Sequence, residues 1–183
     1  MNFCSHCGAA VTLKDVPGDH RKRYVCDSCE HIHYQNPIVI AGVLPLWEGK
    51  ILMAKRAIEP RLGFWNLPAG FLENGENVED GAKRELWEET EAKVSDMTIH
   101  SVYTVARINQ VHIHFLADLI EEKFNRTPES SEVRLFEVNE IPWGDVAFAS
   151  TFFSLQRYVE DLKKGVKEVH LGHFEFKSER KLY

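Results

Sequence analysis

Residues 70–92 read GFLENGENVEDGAKRELWEETEA, and the spacing of glycines and carboxylates in this stretch decides how the rest of the chain is arranged. Asn77 stands where a helix N-cap belongs, with Glu79 and Asp80 in the first turn beyond it. Val78, Ala82 and Leu86 repeat as an apolar stripe, so the spacing predicts a helix over residues 77–90. On such a helix Glu85, Glu88 and Glu89 stand at i, i+3 and i+4 and share one face, with Cβ atoms about 5–6 Å apart. Like charges so placed destabilise a helix by about 0.2–0.5 kcal/mol per pair. Spacing alone fits a solvated acidic face as well as a cation site. For the cation site Mg²⁺ is the natural occupant, because it takes oxygen ligands and keeps waters and room for phosphate oxygens.

Outward from this helix the chain alternates strands and helices. Residues 38–47 (IVIAGVLPLW) and 51–55 (ILMAK) read as two strands joined at Glu48-Gly49. Residues 62–76 hold Gly63, Pro68, Gly70 and Gly75 and read as a loop or irregular strand. Val111, Ile113, Phe115, Ala117 and Leu119 alternate along one strand face, and residues 133–138 suggest another strand. A last helix spans 151–164, with Phe152, Leu155, Val159 and Leu162 on one side, Lys163 and Lys164 at its end and Gly165 as its cap. Leu86 belongs in the core, and Trp87 is expected between helix and sheet or at a subunit contact. The mixture predicts an α/β layered core.

The first 36 residues differ. All four cysteines lie within residues 1–29, together with many polar side chains. Cys4-x₂-Cys7 and Cys26-x₂-Cys29 supply four thiolates at the spacing of a tetrahedral zinc site, rather than four free or redox-active thiols. Such a site is closed, so its role is structural. His6, His31 and His33 are expected at the surface, because the four cysteines already fill the shell. We place the boundary at Asn36-Pro37, giving a zinc ribbon over 1–36 and a second domain over 37–183.

Length and composition agree: 183 residues suffice for one domain and a small appendage, and 44% apolar with 27% charged residues describe a globular chain. No apolar run is long enough to span a bilayer. The first residues have neither the basic nor the apolar segment of a signal peptide, so the expected location is cytoplasmic. The net charge of −6 argues against binding nucleic acid by phosphate neutralisation. Residues 1–36 carry four basic side chains (Lys14, Arg21, Lys22, Arg23) and four acidic ones (Asp15, Asp19, Asp27, Glu30), so the ribbon has no basic excess.

Gly70, Glu76 and Arg84-Glu85-Leu86-x-Glu88-Glu89, preceded by Trp65-x-Leu67-Pro68-Ala69-Gly70, follow the Nudix box almost throughout. The chain from residue 38 to about 165 therefore resembles a Nudix hydrolase. The resemblance implies an α/β/α sandwich with a mixed sheet, here behind a small zinc ribbon. It implies that Glu85, Glu88 and Glu89 bind Mg²⁺ (or Mn²⁺), with the carbonyl of Gly70 as a further ligand and Glu76 ligating or orienting water at a second ion. Arg84 would pair with the glutamates and fix their rotamers. A homodimer is implied by the same analogy. Two positions depart from the box: Glu91 and Ala92 stand where the family has glycine and a bulky aliphatic residue, and that glycine ends the helix.

The activity implied is hydrolysis of a diphosphate bond in a nucleoside diphosphate derivative, releasing a nucleoside monophosphate and a second phosphorylated product. Phosphoryl transfer asks the protein mainly to position water and offset charge. Similar enzymes that hydrolyse ADP-ribose use a loop glutamate outside the box, which makes Glu132 the first candidate base and Glu129 the second. NADH diphosphatases also carry a ribbon ahead of the box, but their SQPWPFP-type motif is missing from residues 101–107. The FCxxCG start, the YQNP segment, the LPAG lead-in, the PESxExRLF stretch and DLKKG look closer to plant plastid FAD and ADP-ribose diphosphatases and their bacterial relatives. Arg56 and Arg107 are candidates for phosphate or adenosine contacts, and Phe148 or Trp143 for stacking on a ring. The rival functions are an NADH diphosphatase, an enzyme acting on RNA caps, and a catalytically silent nucleotide sensor.

Overall fold

A computed structural model describes residues 1–174. The chain divides into two compact units, Met1–Pro37 and a second beginning at Ile38.

The first unit is a three-stranded antiparallel sheet of β1 (Val11–Lys14), β2 (Arg23–Cys26) and β3 (Ile32–His33) in that order. Within it only Cys4, Cys26 and His33 are buried. A unit this short and this poor in apolar core needs a metal or a covalent staple to hold its shape.

The second unit contains β4 (Ile38–Trp47), β5 (Lys50–Arg56), β6 (Trp65–Asn66), β7 (Ala69–Phe71), α1 (Val78–Thr90), β8 (Thr98–Val105), β9 (Gln110–Asp118), β10 (Ser130–Phe136), α2 (Ala149–Lys164) and β11 (His170–His173). The main path of the sheet runs β10-β5-β4-β9-β8-β11, with β6 added on β5 and β7 on β4. It is mixed: β4 pairs with β9 and β8 with β11 in parallel, and the remaining pairs are antiparallel. Strand alternation sorts the side chains between two layers. Ala41, Val43, Leu52, Phe115 and Ala117 pack with Ala82 and Leu86 of α1. Leu44, Ile51 and Met53 pack with Leu155 and Tyr158 of α2. The helices thus cover opposite faces, and the architecture is the expected α/β/α sandwich.

Three expectations need correction. On α2, Phe152 and Leu162 are 42% and 49% exposed, while the buried residues are Ser150, Thr151, Ser154, Leu155, Tyr158 and Asp161. The reason lies across the interface, where the sheet presents polar groups. Ser150 Oγ lies 3.1 Å from His112 Nδ1, Thr151 Oγ1 donates to Asn66 Oδ1, and Ser101 Oγ donates to Ser154 Oγ at 3.2 Å. Each such bond contributes about 0.5–1.5 kcal/mol net. Trp87 does not lie between helix and sheet: it is 46% exposed, with Lys93 Nζ 5.2 Å from its ring centre. His33, expected at the surface, is buried and places Nε2 3.3 Å from Cys4 Sγ.

The helix end without its glycine keeps a left-handed turn. Glu91 caps α1 at φ 55°, ψ 14°, its N–H donating to the carbonyl of Trp87. Asn125 Nδ2 donates to Glu91 Oε2 at 2.7 Å, which offsets part of the strain. A residue with a Cβ is disfavoured there by about 1–2 kcal/mol relative to glycine. Glu91→Gly is therefore expected to raise the unfolding free energy by about 1 kcal/mol, read as a higher urea midpoint at unchanged m.

Candidate active site

The carboxylates gather because two backbone stretches lie against one helix. Asn77 caps α1, its side chain accepting from Asp80 N at 2.8 Å. The 3.6-residue turn then aims Glu85 and Glu89 inward, so that Glu89 is only 7% exposed. β7 runs alongside, with Gly70 opposite Ala41 of β4. A Cβ built on Gly70 would fall inside the Glu85 carboxylate. Gly81 has a similar role, since its absent Cβ makes room for Leu72 and Glu76. Gly70→Ala is thus expected to displace Glu85 and lower turnover by about 10²-fold. Stability should fall by only about 1 kcal/mol, because the clashing group is the free end of a side chain. Turnover near wild type would show that the close approach is not used.

Arg84 holds the cluster in register. Its guanidinium donates to Glu76 Oε1 at 2.7 Å and Oε2 at 3.1 Å, to Glu85 Oε1 at 2.7 Å, to Glu88 Oε2 at 3.0 Å and to the Phe71 carbonyl at 2.9 Å. A planar fork of five donors can do this and an ammonium cannot. Arg84 holds the Glu76 carboxyl below the usual range, helped by the N–H of Glu73. Burial pushes Glu85 up despite Arg84. Glu89 is pushed up to about 8, first by burial and then by the charge of Glu85. Glu89, a buried carboxyl group beside Glu85, belongs to no ion pair among the described residues and is a donor that a divalent ion would complete.

Two further groups reach this cluster. The charge of Glu129 raises both Glu85 and Glu89, and that of Arg56 lowers Glu89. The loop bearing Glu129 is tied to α1: Thr127 Oγ1 donates to the Glu89 carbonyl at 3.2 Å and accepts from Glu129 N at 3.3 Å. Glu132 instead faces Lys55, with Nζ 3.7 Å from Oε2. Arg56 donates from Nε to the Pro60 carbonyl at 2.7 Å and lies over the Phe148 ring at 5.2 Å. Arg56 and Phe148, two separate candidates in the sequence, are neighbours in the fold, and the Arg56 charge acts on Glu89. Trp143 packs edge-on against Phe152 instead, at 5.1 Å. Arg107 lies exposed on the 3₁₀ turn Ala106–Ile108.

In the first unit one ligand atom from each of Cys4, Cys7, Cys26 and Cys29 lies within 4.8 Å of the others. The turns are zinc knuckles in outline: His6 N donates to Cys4 Sγ, and Ser28 N and Cys29 N to Cys26 Sγ, each at 3.4 Å. The N–H groups of Cys29 and Ser28 lower the Cys26 thiol to about 6. A thiolate at Cys26 stabilised this way suits zinc, while the neighbouring thiols help push Cys7 and Cys29 up. The missed feature here is His33, whose ring packs on Cys4 from the third strand.

A carboxylate helix tied by one arginine beneath a glycine-marked strand, preceded by a four-thiol unit, defines a class. The chain belongs to the NUDIX domain family, whose model matches residues 37–156, and residues 2–35 match the Nudix N-terminal model. Among solved structures, a NUDIX hydrolase from Nitrosomonas europaea is 47% identical and superposes with a TM-score of 0.90, covering 95% of this chain and 99% of that one. An NAD-capped RNA hydrolase NudC from Vibrio atlanticus is 30% identical over 94% of this chain and 63% of its own. An ADP-ribose pyrophosphatase from Methanocaldococcus jannaschii is 31% identical over 60% of this chain and 67% of its own. The chain spans less than two thirds of several curated relatives, including only 22% of one from Arabidopsis thaliana.

Proposed function

We propose that this chain hydrolyses the diphosphate bond of a nucleoside diphosphate derivative in a Mg²⁺-dependent reaction, with ADP-ribose or FAD as the preferred substrate. The observation that carries this reading is Glu89: nearly buried, beside Glu85 and the Arg84 network, and in no ion pair among the described residues. Glu85, Glu88 and Glu89 would hold the metal, with the Gly70 carbonyl and Glu76 completing the site. When bound, the ion lowers the pKa of a coordinated water and offsets charge on phosphate oxygens. Arg84 keeps the carboxylates oriented and does not touch substrate. Glu129 accepts the proton of the attacking water. The Phe148 ring and the Arg56 guanidinium offer a stacking surface and a positive charge for the nucleotide.

The substrate class draws on the Methanocaldococcus relative, named for ADP-ribose. A second reading, hydrolysis of an NAD-capped RNA, draws on the Vibrio relative. The ribbon favours the first, because it has no basic excess and Lys14, Lys22 and Arg23 are paired with Asp27, Asp15 and Asp19.

The test is product analysis by chromatography after incubation with ADP-ribose, FAD, NADH, coenzyme A and NAD-capped RNA, with Mg²⁺ and with chelator. The expected result is Mg²⁺-dependent release of AMP, fastest from ADP-ribose or FAD. Faster cleavage of the capped RNA would select the second reading. Turnover of none of them would overturn this reading and favour the nucleotide sensor.

A further inference from the structure

We propose that His100, Asp161 and His170 form a second, independent site for a transition-metal dication such as Zn²⁺, joining β8, α2 and β11 at the edge of the sheet.

One ligand atom from each of the three residues lies within 4.8 Å of the others. Tetrahedral bonds of ~2.1 Å set ligands about 3.4 Å apart, so side-chain shifts on the order of 1 Å close the site. Two imidazoles and one carboxylate suit zinc, cobalt or nickel and not the hard Mg²⁺ ion of the carboxylate helix.

Three observations point to a ligand. First, Asp161 is 5% exposed, and its Oδ1 is buried with no hydrogen-bond partner among the described residues. Oδ2 is satisfied by His170 Nε2 at 2.9 Å and Glu168 N at 3.3 Å, so the unmet capacity is confined to Oδ1. An unpaired buried acceptor is unfavourable, and a simple His–Asp clasp does not relieve it.

Second, His100 reaches the site through a backbone irregularity. The β8–β9 register shifts between Ile99 and Ser101, leaving His100 as the extra residue of a bulge. Consecutive strand residues normally face opposite ways. Here both His100 and Ser101 are buried against α2, bonding to Ser154. Bulges commonly re-aim a side chain beside a site.

Third, His100 has the hydrogen bond of a metal ligand's outer nitrogen. Its Nε2 lies 2.9 Å from the Ser154 carbonyl, which can only accept, so Nε2 carries the proton and Nδ1 keeps a lone pair. Ligating histidines almost always donate their other N–H to such a group. The His100 and His170 rings lie 5.4 Å apart. The His170 side chain is 14% exposed, which gives an ion a way in from solvent.

The test uses the full chain with zinc retained in the ribbon and Mg²⁺ in excess, titrated with Co²⁺. The expected result is saturation at one Co²⁺ per chain, with large paramagnetic shifts of the His100 and His170 ring resonances. His170→Ala and Asp161→Asn should each weaken binding at least tenfold. Because the wild-type resonances are read directly, the outcome does not depend on a variant folding. Absence of saturable binding, or shifts confined to residues near Glu85 and Glu89, overturns the proposal.

Discussion

Glu129→Gln is expected to lower kcat about 10³-fold with little change in KM, while Glu132→Gln should stay within a few-fold of wild type. The magnitude is that of removing a positioned general base, worth about 10²–10⁴-fold. The contrast between the two residues comes from their surroundings. Glu129 follows Thr127, whose hydroxyl is bound to the Glu89 carbonyl, and its own carbonyl accepts from Ala57 N at 2.8 Å. Its charge is felt at Glu85 and Glu89. Glu132 sits on β10 opposite Lys55 of β5 and forms an ion pair with it, in a partly exposed position. Such a pair contributes between about 0 and 1 kcal/mol, so its loss should change stability little. Steady-state kinetics on both variants decide the matter. Equal, mild effects would remove both glutamates from proton transfer, and a large loss in Glu132→Gln alone would reverse the assignment.

Removing a zinc ion held by the cysteine cluster is expected to unfold residues 1–37 and leave the second unit folded. The first unit buries Cys4, Cys26 and His33 and almost nothing else. Metal–thiolate bonds at the four cysteines would supply the cohesion, with an apparent contribution on the order of 10 kcal/mol at neutral pH. The second unit has two apolar layers of its own and does not depend on those bonds. Chelation with a strong zinc ligand should collapse the dispersed amide resonances of the first 37 residues in a two-dimensional NMR spectrum. The signals of the sheet and both helices should stay in place, and re-addition of zinc should restore the rest. Cys26→Ser should behave like the chelated protein. Retained dispersion after complete metal removal would show that the ribbon folds by other means.

The parts of this fold legible in the sequence are those governed by local rules. The N-cap at Asn77, the end of α2 at Gly165, the strands at 38–47 and 110–118 and the two cysteine knuckles each depend on residues within a turn or two. What escaped depends on partners far along the chain. The inner face of α2 looked apolar on helical spacing, yet Ser150, Thr151 and Ser154 face inward because His112, Asn66 and Ser101 wait on the sheet. β11 is a four-residue edge strand whose pairing with β8 no short pattern announces. The carboxylate cluster was legible because one helix carries most of it. The different surroundings of Glu129 and Glu132 were not, since the two stand three residues apart in one acidic stretch and only the fold puts Glu132 on β10 opposite Lys55. His33 was misplaced for a similar reason: counting ligands says nothing about which ring packs against a sulfur. Glu91 is the reverse case, where the missing glycine suggested a lost turn and the backbone kept it.

The way α2 meets the sheet has a mechanical consequence. A greasy helix face can creep along its neighbour, because apolar contact has no preferred direction. This helix is keyed like a tooth in a lock: a shift of one turn would strand Ser150, Thr151, Ser154 and their partners together, each without a replacement. Phe148, the N-cap of this helix, is thereby held in place, and its ring with it under the Arg56 guanidinium.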